Sequence, residues 1–266
     1  MTNLGEPMSA GGLSFSVVIP TCDRPTLLDQ AVASVLDQSR PAADIVVVDN
    51  GTVGHPDPAA LESRGIRYVR ALQRFGVSQA RNVGAILASG DFVAFLDDDD
   101  KWHPAYLEEV NRHIAATGAR VVIGRPVTMQ DGRNLSAGRS DPLPSRENLR
   151  AILLRRNLGI TGSTTVVERK LLMATAGYDP LLVTGQDKGL ILDIMARFDV
   201  APVRAMNAIA YVRKDNSESR ERQMEVRKRL RGTWRFLLKY RSELSLRDAL
   251  FLLRIILKLR WQAFFR

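Results

Sequence analysis

The stretch "FVAFLDDDDKWHP", residues 92–104, runs from five apolar residues straight into Asp97, Asp98, Asp99 and Asp100. A short, continuous apolar run with aromatic and β-branched members reads as a buried strand. Four adjacent carboxylates repel one another, and none gains from burial without a partner. A strand that ends in such a cluster therefore needs a cation, a nearby Arg or Lys, or open water at its tip.

Working outward from this strand, the same grammar recurs. "FSVVIP" (15–20) is an apolar strand ended by proline, followed by a helical pattern through Leu27, Leu28, Ala31, Val35 and Leu36. "ADIVVVDNGT" (43–52) is a second buried strand that ends in a carboxylate and turn residues, and "GIRYVRAL" (65–72) is a third. "VSQARNVGAILAS" (77–89) is an amphipathic helix stopped by Gly90, and "PAYLEEVNRHIAATG" (104–118) is the helix after the acidic strand. Strands alternating with helices predict a mostly parallel α/β sheet covered on both faces. In such sheets ligands bind beyond the carboxyl ends of the strands, where Asp23, Asp49, Asn50 and Asp97–Asp100 all fall. Beyond residue 120 the pattern predicts a strand over "RVVIGRPVTM", a polar loop over 130–148, and a helix at "LRAILLRRN". It then predicts a strand and helix over "GSTTVVERKLLMATAG", a helix at "QDKGLILDIMARF", and paired strands over "APVRAMNAIAYVRK".

Composition narrows the class. With 266 residues, 45% hydrophobic and 25% charged, the chain can bury a full core. The single cysteine, Cys22, excludes an internal disulfide and a cysteine-based zinc site and fits a reducing compartment. Residues 1–14 read as a flexible leader without signal-peptide character, and no apolar run is long enough to span a bilayer. The expected placement is cytoplasmic, either free or peripheral on the inner face of the plasma membrane. Residues 213–266 hold 16 Lys and Arg against 6 Asp and Glu, whereas residues 1–212 hold 22 against 23. Basic charge confined to the tail, with an acidic rim on the core, argues against nucleic acid as a partner.

Four segments in order, "SVVIPTCDRP", "IVVVDNGT", "GVSQARNVGAILASGDFVAFLDDDD" and "GYDPLLVTGQDKGLILDI", resemble the family-two glycosyltransferases of the GT-A fold over residues 15–212. The resemblance implies a Rossmann-like GT-A sheet flanked by helices, with a basic helical C-terminal extension. It divides the chain into a nucleotide-binding half (15–124), an acceptor half (125–219) and a tail (220–266). It also implies an inverting transferase that moves a sugar from a nucleotide-diphosphate sugar to a hydroxyl acceptor. That acceptor would be a saccharide or a lipid-linked sugar, in polysaccharide or glycoconjugate synthesis.

The resemblance also assigns residues. Its acidic pair maps onto Asp97 and Asp99, with Asp99 the direct ligand of Mg²⁺ or Mn²⁺ and Asp97 nearer the ribose; hard divalent ions select such oxygen donors. Asp98 and Asp100 are either supporting groups or solvated surface carboxylates. Pro20, Thr21 and Asp23 lie where the family contacts the nucleotide. Asp49 and Asn50 are both candidates for reading the base, and Asn50 offers a donor as well as an acceptor. Cys22 stands where an aromatic ring is common. Arg81 belongs near the base or phosphates, or else pairs with Asp97–Asp100. Asp187 occupies the place of the general base, with Gln186 instead of Glu, or else serves as a helix cap. Lys214 replaces a metal-completing histidine, a place none of His55, His103 and His113 fits; it can pair with the diphosphate instead.

The tail interleaves Arg and Lys with Trp234, Phe236, Tyr240, Phe251, Trp261, Phe264 and Phe265. Its last segment reads as a helix with an apolar and a basic face. The apolar face of residues 245–266 either meets an anionic membrane or packs on the catalytic domain or on a second copy in a homodimer. Two further functions share parts of the pattern. A sugar-phosphate nucleotidyltransferase would need a glycine-rich loop after the first strand, which "PTCDRPT" lacks. A catalytically silent nucleotide-sugar-binding relative is compatible with Gln186 and Lys214.

Overall fold

The computed structural model describes residues 12–73, 76–130, 133–136, 141–214 and 219–264. Most of the leader (1–11) and parts of the 130–148 loop lie outside the described residues. The chain opens with β1 (Phe15–Thr21), α1 (Pro25–Leu36), β2 (Asp44–Asp49), α2 (Pro58–Glu62) and β3 (Arg67–Arg70). α3 (Val77–Leu87), β4 (Phe92–Phe95), a short β5 (Lys101–Trp102) and α4 (Tyr106–Thr117) follow. The second half contains β6 (Val121–Gln130), β7 (Arg133–Ser136), α5 (Arg146–Arg155), a 3₁₀ turn (Gly162–Thr164), β8 (Thr165–Glu168) and α6 (Arg169–Met173). It ends with α7 (Gln186–Arg197), β9 (Val203–Arg213), α8 (Ser219–Lys239) and α9 (Leu246–Phe264).

One sheet carries them in the order β3-β2-β1-β4-β8-β6-β9-β5, with β7 paired to β6. β3, β2, β1 and β4 are mutually parallel, as the alternating pattern requires. In the second half β6 and β9 pair in parallel, while β8 runs antiparallel to both β4 and β6. The chain winds outward from β1 through β2 to β3, then returns to place β4 on the other side of β1. That reversal opens a crevice at the carboxyl ends of β1 and β4. Pro20 sits at its edge: without an N–H it is tolerated where the ladder to β4, whose last register pair is Val18–Phe95, has already ended.

Alternation along β1 divides the core between the two faces. Val17 and Ile19 pack with Leu28, Val32 and Leu107 on one side. Val18 packs with Phe95, Leu153 and Leu190 on the other. The tail helices add to that second core, since Phe236, Tyr240 and Leu252 are buried in the same cluster.

The region 201–214 corrects the expectation of paired strands. It is one long strand whose register against β6 slips between Gly124–Ala205 and Arg125–Ile209. Exposed Asn207 lies in the bulge, and the strand carries on to reach β5.

Candidate active site

The crevice collects side chains from four strand ends and two helices. After β4 the chain turns immediately, with the Asp100 N–H bonding the Asp97 carbonyl (3.1 Å), so the four carboxylates fan out in different directions. Each carboxylate has its own nearest donor, with Arg24 shared between Asp98 and Asp99, which is how adjacent like charges are accommodated.

Asp97 accepts from the Arg81 guanidinium at 2.5 Å, and its own N–H donates to Ser163 Oγ. Asp98 turns toward β1, accepting from the Thr21 hydroxyl (2.8 Å) and the Cys22 N–H (3.4 Å). Asp99 pairs with Arg24 at 2.9 Å. Asp100 is buried and accepts from Ser163 Oγ (2.5 Å) and the Arg213 N–H (2.8 Å). Burial raises the Asp98 carboxyl to about 6, against the pull of Thr21 and Arg24. It also raises Asp99, opposed by Arg24 and Arg213 and reinforced by Asp97. Asp100 is pushed well up by burial and the Asp97 charge. Burial is the largest cause of each of these rises.

Arg81 is the keystone. It projects from α3, is 2% exposed, and forks between Asp97 and, at 3.0 Å, Asp187 in the first turn of α7. Its guanidinium also lies over the Tyr178 ring, 4.9 Å from the centroid. Burial works against its charge, but Asp97 and Asp187 outweigh that and raise its pKa above the ordinary value. Gly162 makes the fork possible, since a Cβ there would overlap Arg81 and fall 2.9 Å from Asp97 Oδ1. Asp187 itself is raised to about 6 by burial, with Arg81 opposing. It engages Arg81, while α7 has no side-chain cap and starts on a left-handed Gly185. Lys188, beside it, stacks its ammonium 3.7 Å from the Phe236 ring centroid and is lowered to about 8 by burial.

The base-reading candidates are held more tightly than the sequence suggested. Asp49 is buried and accepts from Gly51 N–H (2.8 Å) and Tyr68 OH (2.8 Å), with His55 Nδ1 at 2.7 Å. Burial and the bond to Asp49 push the Tyr68 phenol up to about 12. The Asn50 amide, oriented to satisfy both ends, donates to the Thr21 carbonyl (2.7 Å) and accepts from Gly76 N–H (3.0 Å). Asp23 adopts a left-handed φ of 58°, which its bonds from the Thr52 and Val53 N–H groups (2.7 Å each) stabilise. Those N–H bonds outweigh burial and hold its carboxyl below the usual range. Asp23 therefore latches the loop after β2.

Lys214 is exposed at the end of β9, with its N–H on the Met129 carbonyl, one residue from Arg213. The site also recruits residues to which the sequence reading gave no role: Arg24, Ser163, Tyr178, Arg213, and the set His55, Tyr68 and Arg70, with Arg70 Nη2 2.8 Å from His55 Nε2. Only Arg24 carried a signal, its position two residues after Cys22 at the same strand end. The others come from distant segments.

The family model for glycosyl transferase family 2 matches residues 16–175, more than half of the chain. The chain belongs to glycosyl transferase family 2. Among curated relatives, it is 28% identical over 191 residues to the amylovoran biosynthesis glycosyltransferase AmsB of Erwinia amylovora, covering 68% of this chain and 63% of that protein. It is 36% identical over 99 residues to the putative teichuronic acid biosynthesis glycosyltransferase TuaG of Bacillus subtilis, covering 35% of this chain and 39% of the relative. It therefore spans less than two thirds of either relative's length. The crystal structure of S. aureus TarS 1–349 in complex with UDP-GlcNAc superposes with a TM-score of 0.63 at 17% identity, covering 93% of this chain and 80% of TarS 1–349. The family's GT-A architecture is thus the fold of this chain.

Proposed function

We propose that this family-2 chain is an inverting glycosyltransferase that takes a nucleotide-diphosphate sugar into the crevice between β1 and β4 and passes the sugar to a hydroxyl on a saccharide or lipid-linked acceptor. One observation carries this most directly: Arg81 joins the acid after β4, in the nucleotide-binding half, to the acid opening α7, in the acceptor half. The UDP-GlcNAc complex of TarS and the polysaccharide names of the relatives support a nucleotide sugar as donor and a role in polysaccharide synthesis.

In this scheme Thr21 and Asp98 line the nucleotide side of the crevice, and the loop held by Asp49, His55 and Tyr68 meets the base. Asp187 removes the acceptor hydroxyl's proton as the oxygen attacks the anomeric carbon. Its raised pKa brings it closer to the hydroxyl's and leaves it ionised at neutral pH. Among the described residues, no group of three or more His, Cys, Asp and Glu is gathered as metal ligands. The donor set nonetheless suits Mg²⁺ or Mn²⁺, because Asp97 and Asp99 present hard carboxylate oxygens at one strand end, and such ions bind through one or two carboxylates plus substrate phosphates. Asp99 and Asp97 would hold the ion. When bound, it stabilises negative charge on the leaving diphosphate. Arg24 must release Asp99 for this, and Arg213 and Lys214 remain on the rim to meet phosphate.

Incubating the full chain with a panel of nucleotide sugars, with and without Mn²⁺, tests the proposal through nucleoside diphosphate release. Only a transferase or its hydrolytic side reaction releases the diphosphate; a nucleotidyltransferase exchanges pyrophosphate, and a silent relative binds without turnover. Asp99→Ala should abolish the Mn²⁺-stimulated part of nucleoside diphosphate binding while leaving the melting curve in place. Unchanged Mn²⁺-dependent affinity in that variant removes Asp99 from the metal site.

A further inference from the structure

Helix α9 has two apolar faces, and only one of them is buried in the core. Leu252, Ile256 and Leu259 are buried against the core, and Asp248, the only acid of this helix, is buried with them in an ion pair with Arg155. Leu246, Leu250, Leu253, Leu257 and Trp261 are exposed, from 37% for Leu253 to 78% for Leu246. At 100° per residue these five fall within an arc of about 80°, centred about 140° from the buried stripe. The exposed stripe is flanked by Arg247, Arg254 and Lys258 on one side and Arg260 on the other, all exposed. No carboxylate pairs with these four among the described residues. Neighbouring α8 exposes Trp234 and Leu238 among Arg227, Lys228, Arg229, Arg231 and Arg235.

We propose that the outer face of α9 is an interfacial membrane-docking surface that seats its leucines and Trp261 among the acyl chains of an anionic lipid layer. Four exposed leucines in one stripe on a water-facing helix, Leu246, Leu250, Leu253 and Leu257, mark an interaction surface. The flanking cations select an anionic one. A second copy of the chain fits poorly, because apposing this face with itself brings like charges together and the face offers no acid to pair them. The helix lies along the surface, since no described helix is long and apolar enough to cross a bilayer. Its inner stripe keeps it docked on the fold while the outer stripe meets lipid. The proposal stands whichever sugar the crevice transfers.

The test is co-sedimentation of the full chain with vesicles of mixed phosphatidylcholine and phosphatidylglycerol, against phosphatidylcholine alone. The expected result is binding to the mixed vesicles that weakens with salt and is accompanied by a blue shift of tryptophan fluorescence. Arg254→Gln combined with Lys258→Gln should weaken partitioning roughly 30-fold, from about 5-fold per basic residue. The triple variant Leu250→Ser, Leu253→Ser, Leu257→Ser alters only exposed positions, so its melting curve and nucleoside diphosphate binding should match the parent while vesicle binding is lost. Failure of the full chain to bind mixed vesicles at low salt overturns the proposal. So does undiminished vesicle binding by the triple variant, which would leave charge alone as the cause. A dimer in vesicle-free sedimentation that the triple variant dissolves also overturns it, because a second copy would then own the face.

Discussion

Replacing Arg81 with Met removes the guanidinium that holds Asp97 and Asp187 together but keeps a long apolar stem against Tyr178. Arg81 is 2% exposed and bonds both carboxylates, so the variant leaves two acids facing each other without their shared cation. Breaking a buried pair by deleting one partner costs about 3–5 kcal/mol. For a chain of 266 residues, at about 2.1 cal/mol/K of unfolding entropy per residue, that corresponds to a fall in Tm of about 5–9 °C. The loss should depend on pH in a definite direction. Asp187 already titrates at about 6 with Arg81 opposing the rise, so removing Arg81 moves it higher. Between the unfolded value, about 4, and that raised value, the folded variant holds a proton that the unfolded chain has released. Its stability therefore falls as pH rises through this window, faster than the parent's. Thermal unfolding followed by circular dichroism at pH 5 and pH 8 should show the larger deficit at pH 8. Placing Arg81→Met in an Asp97→Asn, Asp187→Asn background should shrink the deficit, because no orphaned charge is left. Equal deficits at both pH values, or a Tm within about 1 °C of the parent, would refute the keystone role.

Two further outcomes follow from the same geometry. Asp187→Asn should lower transfer by about 10²–10⁴ while donor binding stays within a few-fold; parent transfer should also decline as pH drops below about 6, where Asp187 takes up its proton. Steady-state rates across pH and titration with nucleoside diphosphate check both parts, and near-parent transfer removes Asp187 from the mechanism. Gly232→Ala should destabilise the chain by about 1–3 kcal/mol, because its Cβ would overlap the Thr184 hydroxyl where α8 presses on the loop before α7. A denaturant midpoint unchanged from the parent would show that α8 is not clamped there.

Much of the architecture was legible in the linear order of residues. The apolar runs of β1, β2 and β4, each closed by turn or acidic residues, predict a parallel sheet with polar groups at its carboxyl edge, because strand burial and strand polarity are local consequences of composition. The candidates Thr21, Arg81, Asp97, Asp98, Asp99 and Asp187 do converge on one crevice. Local pattern says nothing, however, about partners separated by many residues. Ser163 reaches Asp100, and the Arg213 N–H reaches the same carboxylate, only because β8 and β9 are brought beside β4 and β6. Tyr68 reaches Asp49 because β2 and β3 pair in one register, whereas His55 folds back onto the same carboxylate from the loop after β2.

The tail shows the same division. Its helical period and positive charge are properties of the sequence alone, since both depend on residue type and spacing. Which apolar stripe of α9 is spent on the core and which is left facing water depends on how α5 and α8 are arranged beneath it. That is a matter of long-range packing, and only the tertiary structure decides it.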